Sequence, residues 1–398
     1  MKISRIETYI LRVPLGKERF YSSQTAFPER NSLLVRIETD TGIVGLGEGG
    51  QYGPPEPPEA CIHHVLAPLL LGQDPMQRAV LWERLYGLTR DFGQKGPYID
   101  ALSGVDIALW DIVGKVTGLS ISKLLGGRFR EKVRAYATGH YYRGEDVYDY
   151  KKNLPALVEE AKGYVKEGFT ILKVKIGLLP LEEDLARMRA IRDAVGPGIK
   201  ILVDANHAYN VGTARRLCRE MEDMGGVLWF EEPIPPEDYE GYRLLRSETS
   251  IPIAAGECEF TRYGFRELFT RGCVDIAQPD LCASGGISEF RIIQGMASAF
   301  HIPVIPHVWG SAVALAASLQ VIATLPPFPY TALPVPLENE PVIEYDRNPN
   351  PLRDLLAGKS FSLHEGMLSI PDKPGIGIEL ERQVLEEYTA SHKESLSR

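Results

Sequence analysis

Six ionisable residues fall at a nearly constant interval along the middle of this chain. Lys175, Asp204, Glu231, Glu257, Asp280 and His307 are separated by 29, 27, 26, 23 and 27 residues, each the length of one strand, loop and helix. They end or closely follow short β-rich runs, which read as strands over 133–137, 171–176, 201–205, 227–231, 251–255, 274–278 and 304–307. Helical spacing fills the intervals, as at Leu181, Leu185, Met188 and Val195, and Gly168, Gly196, Gly225 and Gly272 stand where helices should stop. Alternating β and α elements imply a parallel sheet, and a long unbroken succession of them favours a (β/α)8 barrel of the TIM type over an open doubly wound sheet. In a barrel the strand ends meet at one mouth, so these distant residues converge.

A chain of 398 residues is too long for one compact core of average size. The first third reads as an α+β unit. Residues 3–48 alternate apolar and polar around a turn at Asp40-Thr41-Gly42, and 58–123 carry helical spacing, as at Leu102, Val105, Leu109 and Ile112. Past about residue 334 the β/α rhythm stops. The expected division is a capping domain over 1–130, a barrel over 131–335, and a segment 336–398, ending in a charged helix, that packs back on the cap.

The net charge of −9 is spread along the chain and gives no footprint for nucleic acid. The apolar stretch 312–326 is shorter than a bilayer span and reads as a buried amphipathic helix. Residues 1–16 lack the unbroken apolar run of a signal peptide. Five cysteines (Cys61, Cys218, Cys258, Cys273, Cys282) form an odd set without Cys-x-x-Cys spacing, which predicts reduced thiols in the cytoplasm and no metal role for them.

Asp204, Glu231 and Glu257, on successive strand ends, offer hard oxygen ligands of the kind Mg²⁺ takes, with Mn²⁺ as a substitute. Any one of them alone would more often be a loop solvator or helix cap; three in register are not explained that way. Lys173 and Lys175 lie two apart on one strand and point to one face, leaving Leu172, Val174 and Ile176 for the helix ring. A desolvated lysine beside another cation loses its proton readily and can serve as a base. Asp280 and His307 end neighbouring strands, so the carboxylate can fix the ring's tautomer and make His307 an acid or base. Asn206 and His207 are candidate substrate contacts, with a plain loop role for His207 equally open.

Two motifs are discounted. Gly45, Gly47 and Gly50 fit G-x-G-x-x-G but follow a hairpin and precede a proline cluster at 54–58, where no phosphate-binding helix can start. Gly285-Gly286 reads equally well as an ordinary helix start.

Taken together, the Lys173-Val-Lys175 strand, the three carboxylates and the Asp280–His307 pair resemble the enolase superfamily, in its mandelate racemase and muconate lactonizing enzyme branch. The stretches Ala101-Leu-Ser-Gly-Val-Asp-Ile-Ala-Leu-Trp110, Arg134-Ala-Tyr-Ala-Thr-Gly139, Asp204-Ala-Asn-His-Ala-Tyr209, Gln278-Pro-Asp-Leu-Cys282 and Pro306-His-Val-Trp-Gly310 are similar to sugar-acid members, among them lactone cycloisomerases. The resemblance implies a Mg²⁺-held substrate carboxylate, loss of the alpha proton to Lys175 or His307, and an enediolate intermediate stabilised in part by Lys173. It also implies Glu344 as an acid that hydrogen-bonds the same carboxylate, Trp309 as a substrate contact, and specificity loops over 20–30 and 49–59. The expected reaction is opening of a hexarate lactone to a 3-deoxy-2-keto acid, with dehydration of an open-chain sugar acid as the alternative. A racemase, or a silent binding protein on the same fold, ranks behind these. A homo-oligomer is implied by resemblance, and no nucleic-acid or membrane partner is expected.

Overall fold

The computed structural model describes residues 1–50, 52–144, 146–333 and 336–397. The alternating N-terminal run forms β1 (Ile3–Pro14), paired antiparallel with β2 (Glu29–Thr39), which returns into β3 (Val44–Glu48). The turn between β2 and β3 relies on Gly42 at φ 80°, a conformation that strains other residues. Ile6, Ile10, Leu33, Val35 and Ile37 on this sheet share one core with Leu102, Val105, Leu109 and Ile112. Those four belong to α2 (Pro97–Thr117), which follows α1 (Arg78–Thr89). Gly45 and Gly47 explain themselves here: a Cβ on either would collide with α2 backbone, at Ala108 O and Gly104 O respectively. They permit close strand–helix packing, not phosphate binding.

The β/α rhythm then runs β4 (Lys132–Gly139), α3 (Tyr150–Lys166), β5 (Ile171–Lys175), α4 (Leu181–Val195), β6 (Lys200–Asp204), α5 (Val211–Met224), β7 (Val227–Glu231), α6 (Tyr239–Glu248), β8 (Ile253–Ala255), α7 (Thr261–Thr270), β9 (Ile276–Ala277), α8 (Gly286–Ala299) and α9 (Ala312–Ile322). Strands β4 to β9 pair in chain order and in parallel. Two parallel bridges, Ala277 to Val304 and Asp280 to His307, add a further segment beyond β9. On the other side of β4 lies β10 (Val342–Asp346), also parallel.

Side-chain alternation on these strands sets the site. Tyr136, Ile171, Leu202, Trp229, Ala254, Ile276, Ile305 and Val342 form a single buried cluster on the inner face. Leu172, Val174, Val203 and Phe230 belong to the larger core shared with the helices. Because the pleat has a period of two, the inner residue two places beyond Ile171, Leu202, Trp229, Ile305 and Val342 is Lys173, Asp204, Glu231, His307 and Glu344. The polar groups therefore form a layer on top of an apolar plug, at the C-terminal ends of the strands.

Three expectations need correction. The segment 304–307 makes bridges but no strand, because Pro303 and Pro306 lack the N–H groups a ladder needs. Helix α9 is buried on every side instead of amphipathic, lying between the barrel and the segments packed over it. The charged C-terminus is not one helix: a short helix, Arg382–Tyr388, leads into β11 (Thr389–Leu396), which pairs antiparallel with β1 and covers its free edge. The domain boundary expected at residue 335 lies outside the described residues. No helix among them is long and apolar enough to cross a membrane.

Candidate active site

Asp204, Glu231 and Glu257 come together at the barrel mouth, each buried, with one oxygen of each within 4.8 Å of the others. Asp204 and Glu231 arrive there by simple alternation. Glu257 does not follow the parity of Ala254. Gly256, at φ 136°, resets it and turns Glu257 inward.

Lys173 is completely buried among carboxylates. Its Nζ lies 2.6 Å from Glu231 Oε1, 3.0 Å from Glu344 Oε1 and 3.1 Å from Asp204 Oδ2. Burial pulls its ammonium down, but Glu231, Glu344 and Asp204 outweigh this and hold it well above the usual lysine range. Two buried ammonium groups at the mouth would be costly without acids beside them, and Lys173 has three. Lys175 Nζ donates to Asp204 Oδ2 at 2.5 Å and to Asn206 Oδ1 at 2.9 Å. Burial would raise Asp204, yet Lys175 and Lys173 keep it far below the ordinary carboxylate range.

Across the mouth, His307 Nδ1 lies 2.6 Å from Asp280 Oδ2, and its Nε2 lies 3.5 Å from Glu257 Oε2. Asp280 is itself fixed by the Cys282 N–H, which donates to Oδ1 at 2.7 Å. Glu344 accepts from Thr138 Oγ1 at 2.6 Å and from the Val308 N–H at 3.3 Å. Burial would raise Glu344, but Lys173, His307 and Lys175 bring it down to about 2. Glu231 goes the other way: burial, opposed by Lys173 but reinforced by Asp204 and Glu257, pushes it up to about 7.

The remaining expected contacts separate. Asn206 sits beside Lys175, its backbone in the left-handed region at φ 42°. His207 turns toward Glu232, 2.7 Å away, and not toward the three carboxylates. Trp309 packs among Phe20, Phe27 and Tyr141 beneath the Arg30 guanidinium, 4.4 Å from its ring centre. Tyr141 in turn lies under the Lys175 ammonium, at 5.2 Å.

Several residues escaped sequence reasoning. Tyr52, on the capping domain, places its hydroxyl 2.8 Å from both Glu257 Oε1 and His307 Nε2. From the other capping loop, Gln24 Nε2 donates to Asn206 O at 2.6 Å and Ser23 Oγ to Ala205 O at 2.7 Å. Thr138 and Gln278 lie two places beyond Tyr136 and Ile276, so inner-face parity would have found both; Tyr52, Gln24 and Ser23 fall inside the loops expected over 49–59 and 20–30, where no pattern singles out individual residues.

The oxygen set fits a hard divalent cation. Glu257 Oε2 is buried without a hydrogen-bond partner, and three crowded carboxylates with one raised to about 7 are a charge arrangement that a dication relieves.

The comparisons with known proteins agree along the chain. Residues 5–126 match the mandelate racemase / muconate lactonizing enzyme N-terminal domain, and residues 156–384 match the enolase C-terminal domain-like family. The chain is 42% identical to the D-galactarolactone cycloisomerase of Agrobacterium fabrum, over 98% of this chain and 99% of that protein. It is 41% identical to the arabinonate dehydratase of Saccharolobus solfataricus, over 89% of this chain and 90% of that one. The crystal structure of the 3,6-anhydro-D-galactonate cycloisomerase from Zobellia galactanivorans superposes with a TM-score of 0.86 at 38% identity, covering 98% of this chain and 100% of that chain.

Proposed function

Because the chain belongs to the mandelate racemase and muconate lactonizing enzyme branch of the enolase superfamily, we propose that it is a Mg²⁺-dependent sugar-acid lactone cycloisomerase. The substrate is a hexarate lactone of the galactarolactone or glucarolactone type, and the product a 3-deoxy-2-keto acid. The same reading takes the parallel staves as an eight-stranded barrel, seven from 131–335 and the eighth, β10, from 336–398, which then returns through β11 to the cap formed by 1–130.

The observation that carries this reading is the opposition of two proton carriers across one carboxylate cluster. Lys175 sits against Asp204 on one side, and His307, held by Asp280, faces Glu257 on the other. Asp204, Glu231 and Glu257 would hold the ion. When bound, it supplies positive charge that makes a proton alpha to a carboxylate more acidic.

The chain's own groups do the rest. Lys173 donates toward the substrate carboxylate and stabilises charge as it builds there, and Glu344, held ionised in the free protein by Lys173, His307 and Lys175, takes up a proton as that carboxylate arrives and donates it in a hydrogen bond to the same group. One of Lys175 and His307 removes the alpha proton. The freed electron pair forms an enediolate, which collapses to expel the ring oxygen from the beta carbon. The carbon–oxygen bond breaks, the leaving oxygen takes a proton from the opposing residue, and the resulting enol tautomerises to the 2-keto acid. Asp280 keeps His307 in the tautomer this exchange needs.

Dehydration of an open-chain sugar acid is the second reading, favoured by the 41% identity to arabinonate dehydratase. It differs only in the group that leaves. Product NMR with a panel of aldarates, aldonates and their lactones separates the two. Lactone opening to a 3-deoxy-2-keto acid is expected; turnover of open-chain acids with no lactone consumed would replace the first reading by the second. Lys175→Ala and His307→Asn should each abolish turnover, and alpha-proton exchange in D₂O surviving in one of them identifies the base as the residue left intact.

A further inference from the structure

We propose that His207, Glu232 and Cys258 form a second cation site, beside the oxygen site and suited to a borderline-soft metal such as Zn²⁺. Each residue sits close after one of the three acids in sequence: His207 after Asp204, Glu232 after Glu231, Cys258 after Glu257. The same strand ends that gather three carboxylates thus gather a nitrogen, an oxygen and a sulfur alongside. One potential ligand atom from each lies within 4.8 Å of the others.

The local backbone aims them. His207 and Glu232 both adopt left-handed conformations, at φ 60° and 41°, and the His207 N–H donates to Glu232 O at 2.8 Å. His207 Nε2 then lies 2.7 Å from Glu232 Oε2 and 3.4 Å from Cys258 Sγ. Metal–ligand bonds of about 2.0–2.3 Å at tetrahedral angles separate ligand atoms by about 3.3–3.7 Å. The sulfur–nitrogen distance already suits such a site, and the nitrogen–oxygen pair, now at 2.7 Å, must open by about 0.6 Å to reach it.

A second observation points to a ligand. Glu232 is only 1% exposed, and its Oε2, paired with the ring nitrogen at 2.7 Å, is out of line for a full hydrogen bond. A buried carboxylate oxygen left this way is costly, and a cation between it, the imidazole and the thiol would satisfy all three. His207 is partly exposed, which gives an entry path. The donor set also differs in softness from the neighbouring oxygens, so the two sites would select different metals. Cys-x-x-Cys spacing bears only on sites with several thiolates, and a site with one sulfur needs none.

Co²⁺ added to the full-length, Mg²⁺-loaded protein provides the test, because a cobalt–thiolate bond gives a near-ultraviolet charge-transfer band. One equivalent with that band is expected, displaced by Zn²⁺ and lost in both Cys258→Ala and His207→Asn, while Asp204→Asn retains it. Melting curves of the metal-free variants should match that of the metal-free parent, which separates loss of the site from loss of the fold. No band in the parent protein, or a band that survives Cys258→Ala, overturns the proposal. A band lost in Asp204→Asn but kept in His207→Asn would place the metal on the oxygen set instead. Failure of the oxygen site alone, seen as absent Mg²⁺ binding with the cobalt band intact, leaves this second site standing.

Discussion

The Tyr52 hydroxyl bridges His307 Nε2 and Glu257 Oε1 at 2.8 Å each, so a residue of the capping domain reaches between the imidazole and a carboxylate of the barrel. The residue is 45% exposed. A substrate oxygen approaching His307 must displace that hydroxyl. Tyr52→Phe should therefore lower the KM for the sugar acid while lowering the stability of the free protein by about 1 kcal/mol. Steady-state kinetics and melting curves check both; a raised KM with a fallen kcat would mean that the hydroxyl stays and binds substrate.

Lys173 balances three acids, and removing it leaves them facing one another without solvent. Lys173→Met should cost about 3–5 kcal/mol, the range for breaking a buried charge network from one side. Mg²⁺ on the proposed oxygen set should restore part of that loss. Denaturant unfolding with and without Mg²⁺ gives the comparison, and a variant as stable as the parent in metal-free buffer would contradict this account of the charge balance.

Glu231 gives the metal-free protein a pH dependence of definite sign. Its folded value, about 7, lies above the ordinary 4.5, so the stability it contributes is present at low pH and lost as pH rises through about 7. Asp106, raised to about 7 by burial, and Asp100, raised to about 8 by burial and Asp280, act in the same direction. Over this window Glu231 alone contributes a slope of about 1.4 kcal/mol per pH unit. Glu231→Gln should flatten the fall measured by melting temperature. Mg²⁺ should oppose it, because the ion binds the deprotonated carboxylates.

The regular spacing of Lys175 through His307 was readable because each strand–helix unit has nearly the same length, and the lysine pair because alternation fixes faces. Alternation also links Ile171 to Lys173 and Val342 to Glu344, so the inner face could have been read further than it was, to Thr138 and Gln278. What escaped has physical causes. Glu257 depends on one glycine's φ to face inward. Pro303 and Pro306 reduce an apparent strand to bridges. Tyr52 belongs to a loop whose position relative to the barrel follows from the packing of two domains, and no local pattern encodes that.

Arg187, on α4, links the ends of two strands at the mouth. Its guanidinium donates to Lys175 O at 3.0 Å and His140 O at 2.9 Å, pairs with Asp184 at 2.9 Å, and lies 3.9 Å from the centre of the Tyr142 ring. Asp184 in turn accepts from the Tyr142 hydroxyl at 2.6 Å and the Gly177 N–H at 2.7 Å. This network touches no substrate position, but it holds the backbone that carries Lys175. A lysine cannot reproduce the planar fork that reaches two carbonyls at once, and a displacement of about 1 Å at a reacting group costs roughly 10²-fold in rate. Arg187→Lys should therefore lower kcat by one to two orders of magnitude with KM nearly unchanged. A loss confined to stability, with kcat of the folded fraction intact, would show that the network only holds the fold together.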